Sequence, residues 1–161
     1  MSRNKTGFTL IELVLVILIL GVLAGVALPN FSRTYSGLEL RKTADDMALL
    51  IRYAQNRAIS ERRIYQMAFS GNFSKYALRR AVVDDDGSVT GFEHIPQRMG
   101  RVFKVPQSIR VWASAPDMKI YPNGTLDKMR IQLKSDQGQL TLSSMEQRGY
   151  VLILNDEIPP P

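Results

Sequence analysis

A chain of 161 residues with 45% apolar content has room for one globular domain plus an accessory apolar element, and this excludes a multidomain enzyme. The formal charge of +6 is interspersed with acidic groups such as Asp45-Asp46, Asp84-Asp85-Asp86 and Asp156-Glu157, so no basic stripe marks a nucleic-acid footprint, and nucleic acid is not an expected partner. The absence of cysteine removes disulfide frameworks, thiol catalysis and cysteine-ligated zinc, although an exported domain with a sufficient core does not require disulfides.

Arg3 and Lys5 precede Phe8–Leu28, an apolar stretch broken only by Thr9, Glu12, Gly21 and Gly25. At about 1.5 Å per residue, a helix of this length matches the roughly 30 Å of a bilayer's hydrocarbon. The basic start predicts a cytoplasmic leader over residues 1–7, with everything after Leu28 across the membrane. A secretory signal peptide is the competing reading, with Gly25-Val26-Ala27 as its cleavage site. The run is longer than the usual signal core, however, and it contains Glu12. A carboxylate in a membrane helix costs about 2.5–3.5 kcal/mol on the lenient insertion scale, so Glu12 calls for a cationic partner.

The segment Lys5-Thr6-Gly7-Phe8-Thr9-Leu10-Ile11-Glu12-Leu13 resembles the amino-terminal signal of type IV prepilins and type II secretion pseudopilins. That resemblance implies cleavage between Gly7 and Phe8 by an inner-membrane prepilin peptidase, and N-methylation of Phe8. It also implies that Glu12 pairs with the terminal amine of a neighbouring subunit. On physical grounds such a pair neutralises two charges in an apolar filament core. Gly21 and Gly25 form a small-xxx-small motif that would let helix backbones approach closely. Pro29 removes one helical hydrogen bond and is expected to kink the helix; a proline here also resembles pilins.

Over residues 29–62 the pattern predicts the amphipathic half of the same rod. Ala44, Met47, Ala48, Ile51, Ala54, Ala58 and Ile59 recur at three- and four-residue steps, with charged residues on the other faces. Ser36 and Glu39 have the spacing of a capping box around Gly37, so the helix either restarts there or runs on unbroken.

From residue 63 the period becomes two. Tyr65, Met67 and Phe69 alternate, as do Met129, Ile131 and Leu133, and then Tyr150, Leu152 and Leu154. Turn signals stand at Ser70-Gly71-Asn72, Asp86-Gly87-Ser88, Pro122-Asn123-Gly124 and Asp136-Gln137-Gly138. Residues 63–157 are therefore expected to form an antiparallel β domain. Pro96 and Pro106 suggest that Thr90–Ala115 is a loop with one strand around Ile109–Trp112. Residues 158–161, with three prolines, suit a flexible tail. The fold class is α+β and pilin-like: a long hydrophobic-then-amphipathic helix packed on antiparallel sheet.

Ala48-Leu49 and Ala54-Gln55-Asn56-Arg57-Ala58-Ile59, together with Ile120-Tyr121-Pro122-Asn123-Gly124-Thr125, are similar to the helix and turn of the GspH/FimT pseudopilin family. This implies a minor pseudopilin of a type II secretion system, whose partners are other pilin-like subunits, the prepilin peptidase, the inner membrane and secreted cargo. A FimT-like minor pilin of a type IV pilus is the alternative.

No enzyme motif appears. Asp84, Asp86, Gly87 and Glu93 fall on positions three, five, six and twelve of an EF-hand loop, but Val82 occupies position one, so a solvated hairpin turn is the better reading. His94 is the only histidine and reads as an exposed loop residue. No metal and no cofactor is expected. Trp112 is assigned to core packing in preference to a partner surface.

Overall fold

The computed structural model describes residues 8–96, 98–145, 149 and 151–156, and their side chains except at 26–35, 98 and 156. Two compact units follow one another in the chain, residues 1–35 and residues 36–161. Helix α1 (Leu10–Glu61) supplies the first unit's secondary structure and continues into the second.

In the second unit, α1 buries Leu40, Ala44, Met47, Ala48, Leu50, Ile51, Ala54 and Ala58. This is the stripe that the three- and four-residue spacing predicts, except that Ile59 is 51% exposed. No helix restarts at Ser36. A mid-helix glycine costs only about 1 kcal/mol, less than the burial of one leucine returns, so packing carries the helix through Gly37. The helix ends in a Schellman-type cap: Arg62 takes a left-handed φ of 53°, and Arg63 N–H donates to the Ala58 carbonyl at 3.2 Å.

Among the described residues nine strands follow: β1 (Tyr65–Ser70), β2 (Lys75–Val83), β3 (Val89–His94), β4 (Phe103–Lys104), β5 (Arg110–Ala113), β6 (Asp117–Ile120), β7 (Arg130–Ser135), β8 (Gly138–Ser143) and β9 (Leu152–Asp156). All pairings are antiparallel. One sheet has the order β3-β2-β1-β6, with β4 also on β2; the other has the order β5-β7-β8-β9. Thr90–Ala115 is thus richer in strand than its prolines suggest. Pro96 and Pro106 fall in the connections, and β3, β4 and β5 form around them, separated by a 3₁₀ turn at Arg98–Gly100.

The inner faces of both sheets meet α1 in one core. Tyr65, Met67, Leu78, Met118 and Ile120 come from the first sheet, and Ile131, Leu133 and Leu142 from the second. The helix end is tied to the first sheet by polar contacts as well. Tyr65 donates its hydroxyl proton to Glu61 at 2.6 Å and Arg80 reaches Glu61 at 3.8 Å, while Arg57 pairs with Glu61 at 2.5 Å within the helix and Arg80 with Glu93 at 2.6 Å within the sheet. Burial, reinforced by the Glu61 bond, pushes the Tyr65 hydroxyl up to about 12.

Candidate assembly site

Within the first unit the helix opens at a polar cap. Glu12 N–H donates to the Thr9 carbonyl at 3.1 Å and to Thr9 Oγ1 at 3.4 Å, and Leu13 N–H reaches the same carbonyl at 3.3 Å. Thr9 and Glu12 have the capping-box spacing, which places the carboxylate in the first turn, where the helix dipole favours negative charge. The sequence reading treated Glu12 only as a group in search of a cation. The threonine three residues before it was the signal for this second role.

Every large apolar side chain from Leu10 to Leu23 is exposed, from 43% at Val16 to 82% at Leu10. Each such side chain left in water forgoes about 1.5–3 kcal/mol of burial, so this segment requires a cover from outside the chain. A Cβ added at Gly21 or Gly25 would meet nothing within 4 Å, so both glycines lie on open helix surface. Glu12 is exposed and has no ion-pair partner among the described residues.

Gly7 lies outside the described residues, and the side chain of Pro29 lies outside those described. The backbone is helical at Pro29. The expected span Phe8–Leu28 likewise runs past Gly25, where side-chain description stops in this unit. Among the described residues, no helix is long and apolar enough to cross a membrane.

Among the described residues, no group of three or more histidine, aspartate or glutamate side chains is placed to hold a metal ion. Two clefts of about 320 and 310 Å³ flank α1 and share Asp46, Arg101 and Phe103. Between them the Arg101 guanidinium lies 4.8 Å from the Phe103 ring centroid, and Phe103 stacks on Tyr76 at 5.3 Å. Burial, with Asp46 nearby, pushes the Tyr76 hydroxyl up to about 12.

His94 closes β3 opposite Arg79 and is exposed, so it is a strand residue instead of a loop residue. The Asp84–Asp86 segment is a tight hairpin tip. Gly87 N–H donates to the Asp84 carbonyl at 2.9 Å and Ser88 N–H to Asp86 Oδ1 at 2.9 Å, which holds the Asp86 carboxyl below its ordinary range. Trp112 departs from its expected place in the core: it stands on edge strand β5 and is 52% exposed.

The description "prokaryotic N-terminal methylation motif" matches residues 2–28. Among solved structures, the chain is similar to the minor pseudopilin EpsH from the type 2 secretion system of Vibrio cholerae. The identity is 10% and the TM-score 0.61, over 73% of this chain and 97% of that one. It is also similar to the type IV minor pilin FimU of Pseudomonas aeruginosa, at 17% identity and a TM-score of 0.53, over 72% of this chain and 88% of that one. The chain thus joins an amino-terminal methylation motif to the fold of these two minor subunits. The helix-on-antiparallel-sheet architecture read from the pattern is the architecture of these neighbours. No curated protein matches the chain.

Proposed function

We propose that this pilin-like chain is a minor pseudopilin of a type II secretion system. It is inserted in the inner membrane through Phe8–Leu28, cut between Gly7 and Phe8, methylated at Phe8, and built into a periplasmic pseudopilus that exports folded proteins. The observation that carries this reading is the coincidence of the methylation motif with a helical segment, Leu10 to Leu23, whose large apolar side chains are all exposed. Bilayer covers that surface before assembly, and neighbouring helices cover it afterwards. Gly21 and Gly25 then serve close helix approach, Pro29 local adjustment of the helix on leaving the membrane, and Glu12 the neutralisation of an incoming subunit's amine.

A minor pilin of a type IV pilus is the second reading, favoured by the similarity to FimU. The test has two parts. The mass and amino-terminal sequence of the chain, purified from membranes of a host with prepilin peptidase, should show a start at N-methylated Phe8. A start at Met1, or near Ala27, overturns the filament reading. Deletion of the chain in its own host should then reduce secretion of folded proteins; loss of pilus function with normal secretion moves the assignment to the second reading.

A further inference from the structure

The outer face of the second sheet carries a narrow open strip. Arg110 and Trp112 project together from β5, because Val111 and Ala113 between and beyond them turn into the core. On the neighbouring strand β7, Arg130, Gln132 and Lys134 share that face, since Ile131 and Leu133 are buried on the other. Trp112 stands directly opposite Gln132, and Arg110 opposite Lys134. Arg130 and Lys134 are the diagonal neighbours of Trp112, at roughly 7–8 Å for such positions. Next across the sheet from Gln132 is Thr141 on β8, which is buried, so the open strip is two strands wide at this row.

Charge on the strip has one sign. Arg110, Arg130 and Lys134 are exposed, and no aspartate or glutamate occurs in β5, β7 or β8. Among the described residues the ion pairs use only Arg57 and Arg80 as cations, so these three charges are left for an anionic ligand. The half-exposed indole between them calls for a ligand that also has an apolar face. A run of unstacked bases is held on a series of aromatic platforms, and β5, β7, β8 and β9 contain no second aromatic. A bilayer surface takes a broad apolar face, whereas this strip is narrow and has the Gln132 amide at its centre. An acidic sugar meets every condition: its C–H face packs flat on one indole, its hydroxyls bond a neighbouring amide, and its carboxylate pairs with a guanidinium.

We infer that this strip binds an acidic polysaccharide, a linear chain of the uronic-acid type. One sugar ring lies on Trp112 with its hydroxyls at Gln132, and carboxylates along the chain pair with Arg110, Arg130 and Lys134. A strand rises about 3.3 Å per residue, so Arg130 and Lys134 stand about 13 Å apart along β7, a distance that a polymer reaches and a single sugar does not. The inference goes beyond the filament reading and does not depend on it, because binding belongs to the β domain whether or not the chain is cut before Phe8.

Trp112 is the only tryptophan of the chain, so intrinsic fluorescence reports on this face alone. The full-length chain in phosphatidylcholine nanodiscs, titrated with alginate, should show a saturable change in Trp112 emission. Fully esterified alginate keeps the sugars and loses the charge, and should bind at least tenfold more weakly. Exposed charges are screened within about 3 Å at 1 M salt, so affinity for alginate should fall at least fivefold there. Arg110→Gln with Arg130→Gln should weaken binding at least tenfold at an unchanged urea midpoint, and Arg110→Lys with Arg130→Lys should retain most of it. No saturable change, equal affinity for the esterified polymer, or indifference to the glutamine pair overturns the inference. So does tighter binding of a single-stranded oligonucleotide or of phosphatidylglycerol vesicles at equal charge, which would make the face a nucleic-acid or lipid site. The amino terminus, read on the same sample, keeps the two ideas apart: a chain that starts at Phe8 and ignores alginate sinks only this inference, and a chain that starts at Met1 and binds it sinks only the filament reading.

Discussion

Gln55, in the middle of the buried half of α1, donates from Nε2 to the Gly124 carbonyl at 3.0 Å and to the Gly149 carbonyl at 2.7 Å, so one helical side chain fastens two loops distant in sequence. Replacement by leucine keeps the approximate volume and the helix propensity but leaves both half-buried carbonyls without this donor. Gln55→Leu should cost about 1–3 kcal/mol, read as a lowered urea midpoint with an unchanged slope. A neutral outcome would mean that water replaces the amide at both positions.

The same turn makes Gly124 irreplaceable for a second reason. Its φ is +81°, and a Cβ there would stand 3.3 Å from Ile59 Cδ1, so a substituent meets both left-handed strain and the helix. Gly124→Ala should destabilise the chain by about 1–3 kcal/mol, whereas Gly87→Ala, with φ +84° but open space around it, should cost only the backbone part, about 1 kcal/mol. Parallel thermal melts of the two variants check the difference. Equal shifts would remove the contact with Ile59 from the explanation.

Alkaline stability follows from the tyrosines. Tyr65 and Tyr76 are both buried, and both hydroxyls are pushed up to about 12 from an ordinary value near 10. Between those values the native state holds more protons than the unfolded chain, so stability falls as pH rises. The contribution is complete below pH about 10 and is lost by about pH 12, at up to about 3 kcal/mol per group. Urea midpoints at rising pH should therefore decline steeply in this window for the parent. The decline should be shallower for Tyr76→Phe, which has no hydroxyl to ionise and no hydrogen bond of its own to lose among the described residues. A parallel decline in both would exclude Tyr76 as a cause.

How much of this was legible depends on where each signal resides. The α1 stripe and strands β1 and β7 announce themselves because large apolar residues repeat at the helical or strand period. Strands β2, β6 and β8 do not: Arg79-Arg80 interrupts the first, the second is four residues long, and the third mixes small polar residues among two leucines. Their burial comes from neighbours in the sheet, which no local window contains. Trp112 was misplaced for a related reason: which face it occupies is fixed by the register of β5 against β7, and an edge strand leaves that face open. The amino-terminal motif, by contrast, is dense and local, and it was readable apart from the cap that Thr9 gives.

That cap separates two tasks of the Glu12 region that mutation can divide. Thr9 Oγ1 and its carbonyl already receive the first-turn donors, so loss of the Glu12 side chain leaves the helix start capped. Removing the carboxylate also lowers the cost of burying the segment, by about 2.5–3.5 kcal/mol on the insertion scale. Glu12→Ala should therefore enter the membrane and be processed at least as well as the parent, yet it should leave an incoming amine unpaired in an apolar surround. The expected outcome is at least a tenfold drop in the fraction recovered in filaments at unchanged membrane abundance, with partial recovery in Glu12→Asp, which keeps the charge at a shorter reach. Normal filament incorporation of Glu12→Ala would assign the carboxylate to the dipole of its own helix alone, and Thr9→Ala would then be the variant that impairs the helix start.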